Sequence, residues 1–131
     1  MNEITMSRVL VIDDDQGIRD LLSAYLDIGG HECLTAANGF DGLNLLRQAP
    51  VDLVITDLVM KYDGMMTIRV IRWEFPTLGV IAMSGHSKER LEMAKTVGAD
   101  RVLHKPFTAE ELKAVMAEVQ ALRQVPEAGR P

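Results

Sequence analysis

Five polar side chains in this sequence stand at the ends of apolar runs. Asp13 and Asp14 follow Arg8–Ile12, Asp57 follows a run that begins at Val51, Ser84 follows Leu78–Met83, and Lys105 follows shortly after Arg101–Leu103. Val51, Leu53, Val54 and Ile55 read as a short strand buried on both faces, bounded by Pro50 and a polar turn. An ionised carboxylate is costly next to residues this apolar, so Asp57 at the mouth of the strand needs a reason. In an open α/β sheet, the crevice outside the carboxyl ends of the strands is where ligands bind and react. Each residue also has a plainer reading. Asp57 and Ser84 could serve turns, Asp13 and Asp15 could be favourable acids at a helix N-terminus, and Lys105 could be a solvated loop cation.

The elements that must position these residues follow from periodicity. After the first strand, Ile18, Leu21, Leu22, Tyr25 and Leu26 recur at helical spacing until Gly29 and Gly30. His31 to Ala36 forms a second strand, in which Cys33 reads as core filler. Asn38 caps a helix that carries Leu43, Leu45 and Leu46 to Pro50. The strand ending at Asp57 is followed by a turn at Asp63 and Gly64 and a helix over about Met65 to Trp73, whose apolar side includes Met66, Ile68, Val70 and Ile71. Leu78 to Met83 is a fourth strand. Ser87 caps a helix with Leu91, Met93, Ala94 and Val97, closed by Gly98. Arg101 to Leu103 is a short fifth strand. Thr108 with Glu111 makes a capping box for a last helix with the stripe Leu112, Val115, Met116, Val119 and Leu122. Strands alternating with helices predict an α/β fold, a doubly wound (βα)5 unit with a five-stranded parallel sheet covered on both faces. In such a sheet the carboxyl ends share one edge, so the polar residues converge.

Whole-chain properties narrow the function. At 131 residues the chain fits one domain with a real core, and its composition, 47% hydrophobic and 25% charged, is that of an ordinary globular protein. A net charge of -5 without clustered Lys and Arg argues against a direct nucleic-acid surface. Cys33 is the only cysteine, so no internal disulfide forms. No apolar run approaches the roughly 20 residues that span a bilayer, and no signal peptide is evident, so a cytoplasmic protein without membrane contact is expected. Residues 1–7 read as a flexible leader, 8–124 as the domain and 125–131 as a C-terminal tail or truncated linker.

The acid pair in VIDDD, Asp57 in VITD, Ser84 in MSG and Lys105 in HKPF, in this order at these strand ends, resemble the receiver domain of two-component response regulators over about Arg8 to Arg123. The resemblance implies a flavodoxin-like strand order 2-1-3-4-5 and a cis Lys105–Pro106 bond. It also implies phosphorelay signal transduction, in which Asp57 accepts a phosphoryl group from a phosphohistidine on a sensor histidine kinase or histidine phosphotransfer protein and partner binding then switches. The chain would catalyse only its own phosphorylation and dephosphorylation. It would act on an unknown downstream protein as a monomer or weak dimer. Three acids in one pocket repel. Mg2+, or Mn2+ in its place, relieves this, with Asp14, Asp57 and the Val59 backbone carbonyl as direct ligands and Asp13 through water. Lys105 and the Ser84 hydroxyl would then meet phosphoryl oxygens.

The sequence also departs from the family. Lys61 stands after Met60 where the family usually has Pro, and the turn to Asp63 and Gly64 is one residue short, which bears on the Val59 carbonyl. Val102 occupies the position of an aromatic switch residue and, being β-branched, cannot swing as Tyr does. Ser84, Gly85 and Val102 are therefore the expected switch positions. Val59 and His86 fall where the family tunes phosphoryl hydrolysis, His86 also reading as a solvated loop residue. Two other functions fit parts of the pattern. One is a phosphorylation-independent interaction module. The other is a haloacid-dehalogenase-like phosphatase using Asp13 of a DxD with Asp15, although Gly17 replaces the usual Thr or Val of that motif.

Overall fold

The computed structural model describes residues 7–58, 64–85 and 88–123. Ten elements alternate: β1 (Arg8–Ile12), α1 (Gln16–Ile28), β2 (Glu32–Ala36), α2 (Gly39–Gln48), β3 (Leu53–Asp57), α3 (Gly64–Glu74), β4 (Gly79–Ser84), α4 (Lys88–Val97), β5 (Arg101–His104) and α5 (Ala109–Arg123). All strand pairs are parallel and the order is β2-β1-β3-β4-β5. This is the flavodoxin-like order that the resemblance implies. The expected leader apart from Ser7, the expected tail, Asp63 of the expected turn and the Ser87 cap lie outside the described residues.

Strand alternation divides the core into two layers. Leu10, Ile12, Val54, Val80 and Ala82 face α2, α3 and α4, meeting Leu46, Ile68, Ile71, Leu91 and Ala94. Val9, Val11, Ile55, Ile81 and Met83 face α1 and α5, meeting Leu22, Leu26, Leu112, Met116 and Val119. Each fully buried aliphatic side chain stabilises the fold by about 1.5–3 kcal/mol over its exposed state. β3 and β4 are buried along their whole length, as strands sandwiched between helical layers must be. Four residues assigned above to core stripes lie outside it. Leu21, Met66, Met93 and Leu122 are exposed, because each sits at the margin of an apolar arc whose centre already fills the space against the sheet. β4 extends through Ser84, so that residue closes the strand rather than following it.

The amino-terminal edge of the sheet is clasped by charge. The Asp100 carboxylate accepts from Arg72 Nη2 at 3.1 Å and from the Val80 amide at 2.9 Å, and pairs with the Arg123 guanidinium. Arg72 also donates to the carbonyls of Gly98 and Leu78, and Arg123 to that of Pro76. One acid thus joins the ends of α3 and α5 to the entry of β4. Asp100→Ala leaves two part-buried guanidinium groups without their counter-charge and is expected to lower unfolding free energy by about 3 kcal/mol, read from the urea midpoint at unchanged m.

His31, just before β2, is buried and its Nδ1 accepts the Ser7 amide at 3.1 Å. Burial pushes its pKa below the ordinary value. The unfolded state then binds more protons as pH falls below about 6.5, so this residue's contribution is complete above that pH and declines below it. Thermal melts of His31→Gln should show a shallower loss of Tm between pH 7 and 5 than the parent.

Candidate functional site

The acid pocket begins with the exit from β1. The Asp13 amide continues the ladder by donating to the Ala36 carbonyl at 3.1 Å. Its Oδ1 accepts the Asp15 amide at 2.9 Å, an Asx turn that reverses the chain into α1. Asp15 is the N-cap of α1, its Oδ1 accepting from Gly17 and Ile18 at 2.8 and 3.3 Å. The three consecutive acids therefore have separate fates: Asp13 is fully buried, Asp14 is exposed toward the crevice, and Asp15 is used in the cap. Asp57, the last residue of β3, is 5% exposed. Carboxylate oxygens of Asp13, Asp14 and Asp57 lie within 4.8 Å of one another.

Lys105 reaches this cluster from behind β5. Its amide donates to the Ser84 carbonyl at 2.9 Å, extending the β4–β5 ladder by one bond, and the Lys105–Pro106 peptide is cis. Lys105 Nζ lies 2.9 Å from Asp13 Oδ2 and 3.3 Å from Asp57 Oδ2. Burial alone would depress the ammonium. The hydrogen bond to Asp13 and the charges of Asp13 and Asp57 outweigh it, and the pKa is raised above the ordinary lysine value. The cation stays protonated throughout the physiological range and balances part of the acid charge.

The geometry brings Asp13, Asp14, Asp57 and Lys105 together, with Ser84, fully buried, on the strand between those of Asp57 and Lys105. Gly85 is exposed beside Lys105, at whose Cβ an added methyl would be in ordinary contact at 3.7 Å. Val102 is half-buried against the layer that contains Leu91 and Ala94. Val59 and His86 lie outside the described residues. The Cys33 thiol is pushed up by burial, against the opposing effect of its hydrogen bond to Ser23, so it is not poised as a thiolate.

Two residues of the site escaped the sequence reading. Arg19 Nη1 donates to the Asp13 carbonyl at 2.7 Å, fixing the peptide that carries the buried acid. Its signal was position alone, six residues beyond Asp13 and inside the first turns of α1. Gly64 opens α3 against the backbone that leaves β3. A Cβ there would stand 2.5 Å from the Asp57 carbonyl oxygen and 2.8 Å from Leu58 Cα.

A five-stranded parallel sheet in the order 2-1-3-4-5, with acids, a serine and a lysine at its carboxyl edge, places the chain in the flavodoxin-like class. Comparison with known proteins makes the class specific. The family described as the response regulator receiver domain matches residues 9–117, and the chain belongs to that family, whose members act in two-component signalling. The DNA-binding dual master transcriptional regulator RpaA of Synechocystis is 33% identical over 132 residues, covering 95% of this chain and 54% of that protein. A receiver domain protein of Clostridium thermocellum superposes with a TM-score of 0.85 at 32% identity, covering 91% of this chain and 98% of that one. The chemotaxis protein CheY4 of Vibrio cholerae gives 0.82 at 30% identity, covering 88% and 99%. The chain spans between about a quarter and about half of the length of the curated relatives it matches. No helix among the described residues is long and apolar enough to cross a membrane.

Gly64→Ala should push α3 away from the Asp57–Leu58 peptide. The expected result is a loss of about 1–3 kcal/mol in stability, read from the urea midpoint, whereas Gly85→Ala should leave stability within about 0.5 kcal/mol of the parent.

Proposed function

We propose that this chain is a phosphorylation switch in which Asp57 takes a phosphoryl group from a phosphohistidine of a sensor histidine kinase or a histidine phosphotransfer protein. The observation that carries this reading is the Lys105 ammonium within 3.3 Å of Asp57 and 2.9 Å of Asp13, at the edge of a cluster of acids. An Asp57 oxygen attacks phosphorus in line. The P–O bond forms as the P–N bond to the donor imidazole breaks, and the electron pair and then a proton go to that nitrogen. Water attack later reverses the state by cleaving the P–O bond and returning the carboxylate.

The residues present fit a divalent cation, since hard carboxylate oxygens converge within 4.8 Å. Asp14 and Asp57 would hold Mg2+ or Mn2+ directly and Asp13 through water, and the cation would supply charge neutralisation at the phosphoryl group. Val59, whose backbone carbonyl would be the further ligand in this assignment, lies outside the described residues. Lys105 exchanges part of its contact with Asp57 for a phosphoryl oxygen. Ser84 donates its hydroxyl to another, and Gly85 moves with it. Val59 and His86 tune hydrolysis by what they let water approach. Val102 carries the change less far than an aromatic side chain does, so a phosphorylation-independent interaction module is the second reading, favoured by this one residue. The phosphatase reading is weakened by Asp15, which is committed to the α1 cap. The receiver unit spans residues 8–124; several relatives carry names of transcriptional regulators, and this chain matches about half of their length. Direct nucleic-acid contact by the receiver itself is not part of the reading.

Incubation with acetyl phosphate and Mg2+ should add one phosphoryl group by intact mass. Asp57→Asn should abolish the gain, Lys105→Ala should slow it about 100-fold, and chelation of the metal should stop it. Undiminished labelling of Asp57→Asn would remove the proposal. Equal partner affinity with and without the phosphoryl group would favour the second reading.

A further inference from the structure

Asp14 is the exposed member of the acid cluster, and among the described residues no hydrogen bond or ion pair holds its carboxylate. Asp13 and Asp57, by contrast, are pinned to Lys105. The aim of the Asp14 side chain therefore comes from its backbone. A peptide unit is planar, so the direction of a residue's Cβ is set once the peptide planes on either side of its Cα are fixed. Both planes are tied here. The Asp14–Asp15 peptide donates its N–H to Asp13 Oδ1 at 2.9 Å, and the Asp13–Asp14 peptide accepts Arg19 Nη1 on its carbonyl at 2.7 Å. The second bond has a charged donor and is short, which makes it the stronger kind. Arg19 is half-buried one turn into α1, its amide bonded to the Asp15 carbonyl at 3.1 Å, so the donor is carried by the helix that Asp15 caps.

We infer that Arg19 is the positioning residue for Asp14 and, through it, sets the preference of the acid cluster for a small divalent cation over a large one, a role that rests on the cation assignment proposed above. Rigidity is the reason. Mg2+ demands near-ideal octahedral geometry with short bonds, whereas Ca2+ accepts varied oxygen arrangements. A carboxylate held in one direction favours the smaller ion, and a loosened one gives up that preference. Residues that orient a ligand without touching the ion typically govern about 10–100-fold of metal affinity. Two other roles for Arg19 predict different outcomes. A guanidinium that acted only by its charge would repel a divalent cation, so its removal would tighten the binding of both ions. One that served only the stability of α1 would, on removal, shift the urea midpoint and leave the two affinities in their original ratio.

Titration calorimetry of the full chain with MgCl2 and with CaCl2, at constant ionic strength, separates these roles. The parent should bind Mg2+. Arg19→Met keeps the apolar stem of the side chain and loses its donors. It should bind Mg2+ at least about tenfold more weakly and Ca2+ less than about threefold more weakly than the parent. Arg19→Lys keeps the charge and a donor without the planar fork and should fall between the two, and it carries the comparison if Arg19→Met loses the circular dichroism spectrum of the parent. Unchanged or tighter Mg2+ binding in the folded variant, or a loss equal for both ions, overturns the inference and leaves the cation assignment standing. A parent that binds neither ion overturns the assignment and the inference together.

Discussion

The ion triad of Lys105, Asp13 and Asp57 is the constraint around which the carboxyl edge of the sheet is arranged. Two nearly buried carboxylates a few ångströms apart are untenable in an apolar sheet without a cation. The ammonium lies within 3.3 Å of both, and it is itself held by the backbone bond from its amide to Ser84. Each partner arrives on a different strand, so the triad links β1, β3 and β5 at the edge where no helix covers them. The charges are in place before any ligand arrives.

Local chain chemistry sets the precision of that arrangement. The Asx turn at Asp13 and the cap at Asp15 are consecutive uses of short acidic side chains to bend a strand into a helix. They leave the middle acid, Asp14, directed at the crevice. Arg19 and Gly64 act on peptides rather than on side chains, one by a hydrogen bond to the Asp13 carbonyl and one by the absence of a Cβ beside Asp57. At the opposite edge Asp100 does for the helix ends what Lys105 does for the strand ends, with the signs exchanged. The domain is pinned at both edges by an ionic node, and between them the two apolar layers supply most of the stabilisation.

Both helical layers leave apolar side chains in solvent, among them Leu21 and Ile28 on α1 and Leu122 on α5. α1 and α5 close over Val11, Ile55 and Met83. The α2–α3 side, although equally well packed inward, presents Phe40, Met66 and Trp73 outward. An apolar position on a surface helix reads the same from either side in sequence, because a period of 3.6 fixes the width of the stripe but not where the sheet stops touching it. That is the reason Met66, Met93, Leu21 and Leu122 look like core and are not.

The alternation of β-branched runs with helical stripes was enough to determine the parallel α/β class, the location of every strand to within two residues at either end, the capping box at Thr108 and the set of polar residues that gather at one edge. Each of these depends on neighbours within a few positions, where propensity and periodicity act directly. Tertiary structure alone decided that Asp13 rather than Asp14 is the acid bound to Lys105, that Arg19 and Gly64 belong to the site, and that Trp73 stands in solvent. Those outcomes depend on which atoms meet across 92 residues of chain between Asp13 and Lys105, and nothing in the local pattern of a sequence records a distance between strands.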